Sequence, residues 1–273
     1  LLIQEQAVEK ICASLKKDSR VQAVFLKGSM GRDEHDEYSD IDLYCLVEEE
    51  HKTQFLSERA VHLEAYRPII FQDDIFIIAP QLIAVYDNLL HIDLFTVTLE
   101  SFPEKDYFRV LYDPEGMLKS YQATQTLEIN REEFQDAVID VAWFLFQYKK
   151  ASARGNGIWA ARMLTNVMDH LARVLLYKYA PHRAQLGVKT LDKSLPYELF
   201  EEIEAIFSCI TPNCHKKAAV RISLLLKKEL NWMLTALPAE APIEALLRKM
   251  INAHAEKAEQ CNRAENSKAG QWH

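Results

Sequence analysis

Gly28 and Ser29 follow the apolar run Val24-Phe25-Leu26, and after ten intervening residues the chain reads Asp40-Ile41-Asp42. A strand that delivers a short Gly-Ser turn suits polyphosphate oxygens, and paired carboxylates on a second strand suit a hard divalent cation. Together these are the parts of a metal-assisted nucleotidyl transfer. Strand alternation places Asp40 and Asp42 on one face, with Ile41, Leu43 and Cys45 on the other. Carboxylates roughly 7 Å apart along one strand face can flank Mg²⁺, whose octahedron waters and substrate phosphates complete. A third acid has a similar setting. In Leu89–Val97, Ile92, Leu94 and Thr96 alternate with His91, Asp93 and Phe95, which makes Asp93 the candidate third carboxylate, as metal ligand or as base. No Gly-Lys-Ser/Thr follows a strand, so a Walker loop is excluded.

The elements that must position these residues follow from periodicity. A helix is expected over Gln4–Lys17, a first strand over Val21–Leu26, then the motif loop and the Asp-bearing strand. Glu48–Tyr66 is mostly helical by pattern and ends at Pro68. Strands are expected at Ile69–Phe71, Ile75–Ala79 and Leu82–Tyr86, with Asp87-Asn88 turning into the Asp93 strand. This predicts a mixed sheet of about five strands with flanking helices. Beyond Thr126 the β-like runs stop. Asn130 with Glu133 forms a capping box opening a helix to about Ala153. Further helices are expected over Ile158–Tyr179, Pro196–Ile210, Lys216–Leu237 and Pro242–Glu259. The fold class is therefore α+β, with a sheet domain over 1–125, a helical bundle over 126–259, and a tail over 260–273 expected to be mobile.

The segment Gly28-Ser29-Met30-Gly31-Arg32-Asp33 to Ser39-Asp40-Ile41-Asp42-Leu43 resembles the signature of the polymerase-β-type nucleotidyltransferase superfamily, and within it bacterial aminoglycoside and lincosamide nucleotidyltransferases. The likeness is specific over about residues 20–50 and architectural beyond Asp113-Pro114. It implies that Gly28, Ser29 and Arg32 meet the β- and γ-phosphates of ATP or another nucleoside triphosphate. It implies further that Asp40, Asp42 and Asp93 hold Mg²⁺, and that a small-molecule hydroxyl accepts the nucleoside monophosphate. The helical domain of such enzymes also lends residues to the triphosphate, which nominates Lys150, with Arg154 beside it. One departure stands out. Many members carry Gly four residues after the motif serine, where this chain has Asp33 and keeps Gly31 instead.

Composition agrees with a two-part enzyme of 273 residues, 49% hydrophobic and 26% charged. Leu1-Leu2-Ile3 runs at once into Gln4, Glu5 and Glu9, unlike a secretory leader, and no apolar run approaches a membrane span. Five cysteines without framework spacing fit a reducing cytoplasm. Cys209, Cys214 and His215 invite a zinc reading but lack a second ligand pair. A net charge of −8 disfavours nucleic acid and suits a cationic small molecule. Trp143, Phe144, Phe146, Tyr148 and Trp159 sit at helical spacing that serves a core as readily as an acceptor or adenine pocket. Two alternatives share these residues: transfer to a protein or tRNA acceptor, or a catalytically silent binding module. Three desolvated acids on adjoining strands argue against the silent module.

Overall fold

The computed structural model describes residues 1–102, 105–238 and 243–253. The chain divides into two compact units, Leu1–Thr126 and Leu127–His273. The first unit holds helix α1 (Ile3–Leu15), strand β1 (Val21–Leu26), the one-turn helix α2 (Gly28–Gly31), β2 (Ile41–Val47), α3 (Glu49–Glu58), α4 (Ala60–Leu63), β3 (Ile69–Phe76), β4 (Pro80–Tyr86), β5 (His91–Val97) and β6 (Arg109–Tyr112). The strands form one sheet in the order β3-β4-β5-β2-β1-β6. Only β2 and β5 run parallel; the other neighbours are antiparallel. A parallel neighbour needs a long crossover, and α3, α4 and the β3–β4 hairpin supply it.

Each face of the sheet is apolar for a different reason. Ile41, Leu43, Cys45, Ile92 and Leu94 meet Val8, Ile11 and Leu15 of α1, Phe55 of α3 and Leu63 of α4 in one cluster. On the opposite face Phe25, Tyr44 and Phe95 lie under Phe102 and Leu118. Tyr44 stacks on Phe95 at 4.4 Å between centroids and on Phe25 at 5.1 Å, an offset arrangement that adds to area burial. Central strands covered on both sides read as near-continuous apolar runs. This is why polar residues inside β2 and β5 are conspicuous.

Arg59, between α3 and α4, is only 1% exposed. Its guanidinium donates to Thr96 Oγ1 at 3.0 Å, to the Pro80 carbonyl at 3.2 Å and to Asp74 Oδ1 at 2.7 Å. One buried cation thereby ties the crossover helices to β3, β4 and β5.

The second unit contains α5 (Arg131–Ala153), α6 (Gly157–Tyr179), a 3₁₀ stretch over Pro181–Thr190, α7 (Leu191–Ser194), α8 (Tyr197–Phe207), α9 (His215–Ala236) and α10 (244–253). The Asn130 side chain accepts from the Glu133 N–H at 2.9 Å while Glu133 accepts from the Asn130 N–H at 2.8 Å, a reciprocal cap for α5. Gly155, at φ +70°, turns the chain into α6, which Asn156 caps. The expected α+β class is observed, with one more strand than expected.

The expected strands Ile69–Phe71 and Ile75–Ala79 are replaced by one strand that ends at Phe76, because Gln72, Asp73 and Asp74 pair with Ala84, Ile83 and Leu82, while residues 77–79 turn into β4. Ladder bonds there outweigh the low strand propensity of the two aspartates. Strand β6 and the 3₁₀ stretch were not expected. The ends of the Pro242–Glu259 helix and the 260–273 tail lie outside the described residues. No described helix is long and apolar enough to cross a membrane.

Arg59→Ala leaves a cavity and three acceptors without their donor, so it should cost about 3 kcal/mol of folding stability. Chemical denaturation checks this, and a loss of only a few tenths would remove Arg59 from the account of the fold.

Candidate active site

Strand register brings Asp42 and Asp93 to matched positions, while the close grouping of possible metal-ligand atoms that contains Asp93 is Asp40, His91 and Asp93, without Asp42. Asp42 on β2 lies directly opposite Asp93 on β5 in the parallel ladder. Neighbours at matched positions project to the same face, so two carboxylates that are 51 residues apart in sequence stand side by side. Asp40 precedes β2 by one residue. One carboxylate oxygen from each of Asp40 and Asp93, with one ring nitrogen of His91, lie within 4.8 Å of one another. His91 Nε2 is 3.0 Å from Asp93 Oδ1 and its Nδ1 is 3.9 Å from Asp40 Oδ2. The hydrogen bond with Asp93 raises the His91 pKa above the ordinary imidazole value, against opposing burial and with help from the charges of Asp93, Asp40 and Asp42. Asp93 is 7% exposed and Asp40 is open to solvent, so the cluster grades from covered to accessible.

Gly28 is placed against these acids by the β1–β2 pairing, in which Leu26 faces Leu43 and the Lys27 N–H donates to the Asp42 carbonyl at 3.0 Å. Its φ is +61°, a region that disfavours side chains, and a Cβ built there would lie 2.0 Å from Asp42 Oδ2. Only glycine lets the turn close on the carboxylate. Ser29 follows in α2 and is half-buried. The cradle and an oxygen-rich donor set fit a hard cation with phosphate oxygens as co-ligands.

Two basic residues brace this turn. Lys27 is 3% exposed, and its ammonium donates to the Lys105 carbonyl at 2.6 Å, the Asp106 carbonyl at 3.3 Å and Gln125 Oε1 at 3.0 Å. Burial pushes its pKa down to about 8, with the Asp106 charge opposing. Arg32 pairs with Asp106 at 2.6 Å and Glu34 at 3.0 Å. A phosphate contact by Arg32 would mean exchanging those carboxylates for phosphate oxygens. Lys27, Gln125 and Asp106 were not singled out from sequence, since only folding shows which lysine is buried. His91 had a weak signal, its place on the Asp93 face.

In the second unit, Lys150 is exposed near the end of α5, with its ammonium 5.2 Å from the Phe146 ring centroid. Among the aromatic candidates, Tyr148 is buried and hydrogen-bonded to His215 Nδ1 at 3.1 Å, Phe144 stacks on His170, and Trp143 and Trp159 are exposed. No metal-ligand grouping among the described residues includes Cys209, Cys214, His170, His182 or His215.

A model of the streptomycin adenylyltransferase family matches residues 3–229. Comparison with curated proteins gives no significant match. Among solved structures, an aminoglycoside 6-adenyltransferase from Bacillus subtilis is 13% identical, with 92% of this chain and 98% of that one covered and a TM-score of 0.39. A nucleotidyltransferase-like protein from Exiguobacterium sibiricum is 13% identical, with coverage of 85% and 77% and a TM-score of 0.38. A spectinomycin adenyltransferase from Enterococcus faecialis, solved with ATP and spectinomycin, is 11% identical, with coverage of 92% and 98% and a TM-score of 0.31.

Gly28→Ala should displace the Asp42 carboxylate and lower Mn²⁺ affinity about tenfold or more, measured by titration; unchanged affinity would separate the turn from the acids. Lys27 has a folded pKa below its ordinary 10.5, so charging it opposes folding at neutral pH, and its penalty fades as pH rises from about 8 through 10.5. The difference in stability between wild type and Lys27→Met should therefore shift in favour of wild type across that window in denaturation series, whereas a flat difference would contradict the assignment.

Proposed function

The chain belongs to the streptomycin adenylyltransferase family, and on that premise we propose that it moves AMP from ATP onto a hydroxyl of an aminoglycoside-like small molecule, with Mg²⁺ bound and pyrophosphate released. The observation that carries this reading is the side-by-side register of Asp42 and Asp93 next to the Gly28 turn. It supports a site for a polyphosphate and its counter-ion, because like charges held opposite one another destabilise a sheet unless a cation offsets them. The net charge of −8 agrees with a cationic acceptor.

In this mechanism Asp40, Asp42 and Asp93 would hold the cation, and Mg²⁺ bound there would supply charge neutralisation at the phosphates and a lowered pKa for the acceptor hydroxyl. Gly28 allows the backbone to approach the phosphates, and Ser29 offers its hydroxyl to them. Asp93 receives the proton as the hydroxyl oxygen attacks the α-phosphorus, and its hydrogen bond with His91 keeps one carboxylate oxygen oriented. Lys27 and Arg32 hold the turn's outer wall at Asp106, so the cradle is preorganised before substrate arrives. Lys150 is assigned to the charge that develops on the leaving pyrophosphate. The site of action on this reading is the cytoplasm, where ATP is available.

The test incubates the full chain with α-labelled ATP, Mg²⁺ and streptomycin. Labelled streptomycin and pyrophosphate should appear together, and Asp42→Asn or Asp93→Asn should lower the rate about 10³-fold. ATP binding that ignores Mg²⁺ and Asp40→Asn would defeat the proposal.

A further inference from the structure

The ladder that unites the acids continues outward. Asp93 on β5 lies opposite Ile83 on β4, and Ile83 lies opposite Asp73 on β3. Directly paired residues project to one face, so Asp42, Asp93, Ile83 and Asp73 form a single row across four strands. At roughly 4.8 Å per strand, Asp73 stands about 10 Å from Asp93. The next row repeats the pattern with His91, Val85 and Phe71. Farther along the strands this face is covered by Phe102 and Leu118. These two rows are not: Phe71 is 54% exposed, and Ile83 and Val85 are half-buried.

Asp73 and Asp74 are adjacent in sequence but have opposite surroundings. Asp74 points to the helix-covered face and neutralises buried Arg59 at 2.7 Å. Asp73 is exposed on the catalytic face and has no hydrogen-bond or ion-pair partner among the described residues. An aspartate in a strand interior is unfavourable. Another negative charge on the face of Asp40, Asp42 and Asp93 adds repulsion that a bound cationic group offsets.

We propose that the β4–β3 extension of this face is the acceptor subsite. Phe71, Ile83 and Val85 form the platform on which a sugar or cyclitol ring lies, and Asp73 is the partner of an ammonium or guanidinium group remote from the reacting hydroxyl. The separation of Asp73 from Asp93 selects acceptors of more than one ring, with the hydroxyl and the cationic group on different rings. Asp73 thus determines specificity and does not touch the reacting atoms. The inference rests on the transferase reading above and adds the place and charge chemistry of the acceptor.

The experiment measures steady-state transfer from ATP to streptomycin and to spectinomycin by the full chain and by Asp73→Asn, Asp73→Glu and Phe71→Ala. Equilibrium binding of streptomycin in the presence of Mg²⁺ and a non-hydrolysable ATP analogue is measured in parallel. Loss of the charge should raise the KM and Kd for streptomycin about tenfold, with kcat and the KM for ATP within about twofold. Asp73→Glu should restore most of the affinity, and added salt should shrink the gap between wild type and Asp73→Asn. If wild type transfers AMP while Asp73→Asn and Phe71→Ala keep wild-type acceptor KM and Kd, the subsite is overturned and the transferase reading stands; Asp73 then only guards an edge strand against pairing. If wild type transfers to neither compound, the acceptor reading and the subsite fall together.

Discussion

The parallel pairing of β2 with β5 is the constraint from which the rest follows. It sets Asp42 against Asp93, an arrangement that costs stability because two carboxylates face each other across a ladder in a largely apolar sheet. The sheet tolerates this because its other interactions are strong. Both faces of the central strands are buried, and the ladder bonds on either side of the acid pair are unbroken. His91 adds local compensation by bonding to Asp93 and approaching Asp40. A site that concentrates like charge in this way favours a divalent cation and the phosphates it brings.

Around that pair the sheet separates structural from chemical duties by face. Toward the helices, Arg59 ties three strands to the crossover, and Asp74 neutralises it from the edge. At the motif turn, Lys27 and Arg32 hold the segment at Asp106 against the Gly28 loop. Lys27 draws on residues 78, 79 and 98 positions away in sequence. Loops positioned by a rigid sheet are where binding groups commonly sit, and here the turn is made rigid by its own basic neighbours. The same face continues into β4 and β3, where Ile83 and Asp73 hold positions matched to Asp93.

The helical unit folds around its own core, from Phe134 and Leu145 on α5 to Leu226 and Met233 on α9. Its polar interior contacts are specific. Tyr148 bonds to His215, and Glu229 receives both Lys178 at 2.7 Å and Tyr179 at 2.8 Å. His215, whose type invites a metal reading beside Cys209 and Cys214, is engaged at Nδ1 by a buried phenol.

The amino-acid sequence alone determined those features that depend on neighbours in the chain. Alternation in Asp40–Val47 and Leu89–Val97 assigned the acids to strand faces, Gly28-Ser29 marked a turn after β1, and Asn130 with Glu133 marked the start of α5. Each is a local pattern, because strand and helix periods and caps act within a few residues. Tertiary structure decided the pairings. That Asp93 meets Asp42, that Asp73 stands in the same row, that Gly28 touches a carboxylate, and that Lys27 and Arg59 are the buried cations all depend on the register between segments tens of residues apart. That register is set by simultaneous packing of both sheet faces, a condition no single window of sequence contains. For the same reason, Ile69–Phe71 and Ile75–Ala79 read as two strands where the structure has one, Ile69–Phe76: its continuity comes from the ladder with β4, and the aspartates in its middle obscure it in the local pattern.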